Sequence, residues 1–311
     1  MKIRLSFEDW LLRTEELISG AIAEIREQHW KEDYASMRWM DVLRSELPNV
    51  EITDLGRPYA VAWDAMKFDG ERETNYGDVG VFVRIDYPNG VQVEGIGFIE
   101  AKRIYPASET YKQLDHEQLT HMIDKVRYHR LALYERTPIP EAVFGLTGHG
   151  MASAYNFGSK LVQPGWQSVL AAVVPTTVAL DLRGNKPSDL HPACLPLSYQ
   201  LCGRYLGGYD LETRAEIVAD VKAGGAGAPS FLLISHVVIG GETTPTTDDR
   251  LGIAPDAPYT TLDPDLPETM DVAEIATATA HIEPSSSSRE HSAKKESTQP
   301  AAKKQTLRLK L

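Results

Sequence analysis

The sequence predicts a mixed α/β protein of the α+β kind, and three observations carry that prediction. Residues 7–29 place Trp10, Leu11, Thr14, Leu17, Ile18, Ala21, Ile22 and Ile25 on one helical stripe. Two alternating apolar runs flank Pro88-Asn89-Gly90, the pattern of a β-hairpin. Further apolar runs and helical stretches then alternate up to about residue 240. Taken in order, the first helix is followed by a second at 33–47, stopped by Pro48. A strand at 58–67 turns Tyr59, Val61, Trp63 and Ala65 to one side. Strands at 79–87 and 91–102 come next. A long helix at 110–135 opens with Thr110 and Gln113 as a capping box. Strands at 142–147, 168–174, 177–182 and 230–239 follow, with helices at 194–206 and 211–223 before the last. The predicted order is therefore helix, three-stranded antiparallel meander, helix, strand, then extra C-terminal helices and strands.

Composition narrows the class. The chain has 311 residues, with 44 acidic against 32 basic, and is 42% apolar, which is globular. No apolar run reaches the roughly 18 residues of a membrane-spanning helix. Residues 1–9 lack the apolar block of a signal peptide, so a cytoplasmic protein with no membrane partner is expected. Two cysteines, Cys194 and Cys202, are too few for a disulfide framework or a four-cysteine zinc site, and they read as core residues. The charge is uneven. Residues 285–311 hold seven basic and two acidic residues, leaving a net charge of −17 on residues 1–284. The stretch 241–311 is poor in large apolar side chains and rich in Thr, Pro, Asp and Ser. It reads as a disordered tail, basic at its end, behind a folded domain at 1–240. The alternation of apolar and basic residues at 306–311 suits addition to a partner's sheet edge.

The chemistry concentrates in residues 75–103. A three-residue loop at Pro88-Asn89-Gly90 sets Arg84 opposite Glu94, Phe82 opposite Ile96, Ile85 opposite Val93 and Val79 opposite Ile99. A two-residue Asn-Gly turn would instead put Ile85 against Glu94, so matching selects the longer loop. That register places Asp78 opposite Glu100. Glu100 and Lys102 are two apart on one strand and share a face with Ile96 and Phe98. Charges ending an apolar face are costly unless paired or bound to a metal. The plain alternative is a solvated salt-bridge cluster at a sheet rim.

Asp78 followed by Glu100-Ala101-Lys102 on the next strand resembles the PD-(D/E)XK, or restriction-endonuclease-like, nuclease superfamily, with Gly77 where that pattern has proline. The resemblance implies that family's core over about residues 7–182, and a metal-dependent nuclease with DNA favoured over RNA as its substrate. It implies that Asp78, Glu100 and the carbonyl of Ala101 hold Mg²⁺ or Mn²⁺, and that Lys102 orients the attacking water. Some members carry a Glu on the first helix, for which Glu15, Glu16, Glu24 and Glu27 are candidates, Glu15 and Glu24 flanking the apolar stripe. Some carry a Gln on the following helix, a place taken here by Gln118, with Met122 where the pattern has Tyr. The setting implied is defence, restriction or repair, as a homodimer or with a helicase or recognition subunit.

Other motifs carry less. His116, His121 and His129 are spaced 5 and 8 apart, which gives no two-histidine metal face on a helix. Gly148-His149-Gly150 and Gly158-Ser159-Lys160 lack the phosphate-loop pattern. The acidic body opposes broad non-specific DNA binding, although Lys102, Arg103, Lys112, Lys125, Arg127 and Arg130 could line a local groove. A catalytically inactive member of the same fold, serving as a binding or scaffold subunit, is the alternative function.

Overall fold

In the computed structural model, described over residues 2–69, 75–105, 107–111, 114–140, 143, 169–240 and 244–262, eleven strands join one mixed sheet. The elements are β1 (Ile3–Leu5), α1 (Phe7–Ala23), α2 (Glu32–Glu46), β2 (Asn49–Ile52), β3 (Tyr59–Phe68), β4 (Val79–Asp86), β5 (Gln92–Tyr105), β6 (Thr110–Tyr111), α3 (His116–Lys125), β7 (His129–Ile139), β8 (Val169–Pro175), α4 (Thr176–Leu182), β9 (Leu195–Pro196), α5 (Ala215–Lys222), β10 (Phe231–Ile239) and β11 (Tyr259–Thr261). The spatial order is β1-β2-β3-β10-β4-β5-β7-β8-β9, with β11 on β3 and β6 on β5. Helices cover both faces. Trp10, Ile18, Trp39 and Leu43 of α1 and α2 pack with Val81, Val83, Ile99 and Ala101. On the other face Val218 and Val221 of α5 pack with Phe82, Ile96 and Phe98. The central strands are buried on both sides, which suits their nearly continuous apolar composition.

The β4–β5 hairpin has the expected register. Val79 lies opposite Ile99, Phe82 opposite Ile96, Arg84 opposite Glu94 and Ile85 opposite Val93. The Tyr87 N–H reaches the Val91 carbonyl at 2.9 Å, and Gly90 takes the left-handed conformation, φ +77°, that closes this loop. Arg84 donates to Glu94 at 2.7 and 2.8 Å, and Lys222 adds a second cation at 2.7 Å.

Several expectations are corrected. The three-stranded meander is interrupted, because β10 inserts between β3 and β4, antiparallel to one and parallel to the other. The strand itself was expected at 230–239, but its place between β3 and β4 is set by pairings distant in sequence, which no local pattern announces. The helix expected at 110–135 is three elements. Thr110 and Tyr111 form β6, α3 spans ten residues, and His129 already begins β7. Asp115, accepting from the N–H groups of Glu117 and Gln118 at 3.0 Å each, caps α3 in place of Thr110; Gln113 lies outside the described residues. Residues 177–182 are helical and not a strand. Helix 7–29 ends at Ala23, and Ile25 gives its carbonyl to Arg136 at 2.6 Å. The helix expected at 194–206 is present over residues 197–205, three α-helical residues, Leu197–Tyr199, running into a π-helical stretch, Gln200–Tyr205, but it opens on a two-residue strand, Leu195–Pro196. The strand at 142–147 falls outside the described residues, Val143 excepted.

The folded body also passes residue 240. Residues 244–262 lie on the sheet: β11 pairs with Met66–Phe68 of β3, and Leu251, Ile253, Tyr259 and Leu262 are buried. The polar composition of this strap concealed its four apolar anchors. Residues 263–311, with the strand expected at 306–311, lie outside the described residues.

Candidate functional site

The site forms where β5 outruns β4. The β4–β5 ladder ends at Val79 opposite Ile99, while β5 continues to Tyr105, where β6 pairs with Ile104 and Tyr105. Between them lies a notch of unladdered strand edge. Successive main-chain donors facing that notch are taken by carboxylates. The Ala101 N–H donates to Asp78 Oδ2 at 2.8 Å, and the Arg103 N–H reaches Glu32 Oε1 at 3.4 Å. A strand residue points its N–H and C=O to the same neighbour, so the Ala101 carbonyl faces the Asp78 side as well.

The turn before Asp78 explains the glycine there. Gly77 has φ +103°, and a Cβ on it would stand 2.8 Å from the Ile99 carbonyl oxygen and 2.9 Å from His129 Nε2. Proline, fixed near −65°, could not adopt this backbone.

Four of the predicted side chains come together. Asp78, one residue beyond the last ladder pair Val79–Ile99, bonds the Ala101 N–H beside the 2% exposed Glu100. Lys102 Nζ donates to Glu100 Oε1 at 2.5 Å, and Gln118 Nε2, from the first turn of α3, approaches the same oxygen at 3.4 Å. Among the described residues Glu100 Oε2 is buried without a hydrogen-bond partner. A solvated rim cluster does not match this burial. Burial, and then the charge of Glu100, push the Asp78 carboxyl well above the usual range, with Asp33 adding to the effect; the Ala101 N–H and Lys102 oppose it. Burial works against the Lys102 charge, but Glu100, aided by Asp78 and Glu32, outweighs it and raises the ammonium above its usual range.

The helix carboxylates come from an unexpected place. Glu15 is buried against Ser19 and Ser198, Glu16 pairs with Arg13 and Glu24 with Arg38, and Glu27 opens a short 3₁₀ turn. Among the described residues no hydrogen bond ties any of them to Asp78 or Glu100. Instead the first turn of α2 supplies Glu32 and Asp33, whose charges act on Lys102 and Asp78. The available signal was an acidic pair opening a helix, a common stabilising pattern that does not by itself point to a site.

The basic groove is largely neutralised. Arg103 pairs with Glu32 at 3.4 Å, Arg130 with Asp210 at 2.9 Å, and Lys102 with Glu100. Lys125 and Arg127 are exposed, and Lys112 lies outside the described residues. Cys194 and Cys202 are buried, as expected of core residues. A second polar cluster escaped the sequence reading: the Tyr111 hydroxyl meets Glu135 and His191 Nε2, the latter at 2.6 Å, fastening β6 over β7.

No family model, curated protein or solved structure matches this chain. Among the described residues no helix is long and apolar enough to cross a membrane. No group of three or more His, Cys, Asp or Glu side chains among them could hold a metal ion. The donor set here is two carboxylates and one main-chain carbonyl, all oxygen, which suits Mg²⁺ with water completing its shell. The unpartnered Glu100 Oε2 and the mutual repulsion of Asp78 and Glu100 both fit a cation between them.

Proposed function

We propose that the chain is a metal-dependent nuclease that hydrolyses phosphodiester bonds, with DNA the substrate to test first. The observation that carries the reading is the pair of half-buried Asp78 and buried Glu100, Oε2 of Glu100 having no hydrogen-bond partner among the described residues, beside Lys102 on the same strand as Glu100. Asp78, Glu100 and the Ala101 carbonyl would hold Mg²⁺ or Mn²⁺. An ion held there would supply positive charge for phosphate oxygens and lower the pKa of a water. Lys102, kept protonated by Glu100, orients the attacking water and offsets charge on the phosphate oxygens. Gln118 holds the Glu100 carboxylate in its rotamer. One phosphorus–oxygen bond would form to the water oxygen as the ester bond to the leaving oxygen breaks, the water's proton passing to solvent and the leaving oxygen taking a proton from solvent.

The pairing of Arg103 and Arg130 with carboxylates favours a second reading, a non-catalytic subunit on the same scaffold. It also favours a helper, such as a helicase or recognition subunit or a second copy, that brings nucleic acid to the acidic body. The test is cleavage of linear and supercoiled duplex, single-stranded DNA and RNA with Mg²⁺ or Mn²⁺, wild type beside Lys102→Ala. The nuclease reading expects cleavage that falls at least about 100-fold in the variant. Equal cleavage by both proteins would remove Lys102 from the chemistry. Wild type that neither cleaves nor binds Mn²⁺ would leave the scaffold reading.

A further inference from the structure

His129 is the first residue of β7, beside Phe98 of β5, and is 2% exposed. Nothing in the proposed chemistry uses it. Its ring is hydrogen-bonded at Nδ1, while Nε2 has no hydrogen-bond partner among the described residues and is packed against main chain. Nδ1 lies 2.7 Å from the hydroxyl of Thr176, the buried first residue of α4. Nε2 is buried at the Tyr76–Gly77 main chain, where a Cβ on Gly77 would come within 2.9 Å of it. The Ile99 carbonyl oxygen stands 2.8 Å from that same point. The imidazole and that carbonyl therefore both crowd the Cβ side of Gly77, in the turn that delivers Asp78. Burial first, and then the neighbouring cations Arg130 and Lys102, hold the ring neutral, its pKa lowered to about 3, while the Tyr76 main chain favours a proton on it. A neutral ring that accepts the Thr176 hydroxyl at Nδ1 carries its proton on Nε2, toward the turn.

We propose that His129 is a positioning residue that wedges the Tyr76–Gly77 turn so that the Asp78 carboxylate stays on the Ala101 N–H. The inference rests on the reading of Asp78 as a metal-site residue for its consequence, but the positioning itself can be read without metal. Asp78 precedes the first ladder pair of β4, so the hairpin alone does not fix its side chain. The wedge ties it to β7 and α4.

Two substitutions separate position from bulk. Asn places an amide near the Nδ1 position and keeps a partner for Thr176, but withdraws from the turn. Gln reaches the Nε2 position. In the full-length protein, His129→Asn is expected to speed hydrogen exchange of the Ala101 amide about tenfold and to weaken Mn²⁺ binding by a similar factor, with exchange elsewhere in β7 unchanged. His129→Gln is expected to restore both to within about threefold. Unchanged Ala101 exchange in folded His129→Asn overturns the proposal. So does equal acceleration along all of β7, which marks a merely structural loss, and so does failure of Gln to restore. Wild type that binds no Mn²⁺, while Ala101 exchange still responds to the substitution, sinks the metal reading and leaves the positioning intact.

Discussion

Asp78 carries a charge that its surroundings oppose. Its half-buried carboxylate stands near Glu100, and both desolvation and that neighbour disfavour the charged form. Asp78→Asn keeps an oxygen for the Ala101 N–H and removes the repulsion. It is expected to raise the melting temperature in chelator by about 2–4 °C, on the order of 1 kcal/mol, and to abolish the rise caused by Mn²⁺. Differential scanning with and without Mn²⁺ reads both effects, and a lower melting temperature in chelator would contradict the argument. Glu15 presents the same cost away from the site. Burial raises its pKa from the usual 4.5 to about 7, against the hydrogen bonds from Ser198 and Ser19. The folded chain thus holds a proton that the unfolded chain has released. The stability this confers is complete below pH 4.5 and is lost as pH rises through about 7, a change of about 3 kcal/mol. His129, kept neutral, acts with the opposite sign below about pH 6.5. Comparison with Glu15→Gln isolates the carboxyl: urea unfolding at pH 5 and pH 8 should differ less in the variant by roughly that amount.

At the scale of elements, what was legible depended on how local the determinants are. The hairpin register could be read because one turn and four facing pairs fix it within 21 residues, Val79 to Ile99. That register in turn placed Asp78 opposite Glu100, and Lys102 followed from strand alternation. The helix misplaced at 110–135 has a physical cause. β7 is buried on both faces, so residues 131–135 show no alternation, and Leu, Ala and Glu there are good helix formers. α4 was misread because Thr176, Thr177 and Val178 are β-branched, a weak preference that tertiary packing overrides. The acids at the start of α2 could not be assigned to the site, since only the packing of α2 on β5 brings them there. The Gly77 turn is the element on which the constellation depends. Gly77→Ala forces a Cβ against the Ile99 main chain at a positive φ. The expected cost is about 1–3 kcal/mol of stability, together with a weaker response to Mn²⁺ than in wild type. Chemical denaturation with and without Mn²⁺ measures it, and a variant as stable as wild type would show that the turn is not closed as described.

For the whole molecule, the question is where the folded body stops, and the sheet edge decides it. The outer edge of β3 is shared between two strands: β2 covers Tyr59–Ala62, and β11 covers Met66–Phe68. β11 arrives on the strap at 244–262, which is fixed along its length. Thr246 meets His236 Nδ1 through its carbonyl and N–H at 2.9 and 3.1 Å, and the Leu251 carbonyl accepts from Arg84 at 3.0 Å. The Leu262 N–H reaches the Ala65 carbonyl at 3.1 Å. Removing the strap bares Met66–Phe68 as an open strand edge, beside the apolar surface left by Leu251, Ile253 and Tyr259. Burial of each such side chain contributes about 1.5–3 kcal/mol, partly offset by the entropy of ordering the strap. A chain ending at residue 240 is therefore expected to melt well below the full-length protein and to self-associate through the exposed edge. A chain ending at residue 263 keeps β11 and all four anchors, and is expected to melt within about 2 °C of full length as a species of unchanged size. Scanning calorimetry with light scattering on the three chains distinguishes these outcomes. Equal melting of the 240- and 263-residue chains would mean that β3 needs no cover and that the body ends where the sequence composition changes.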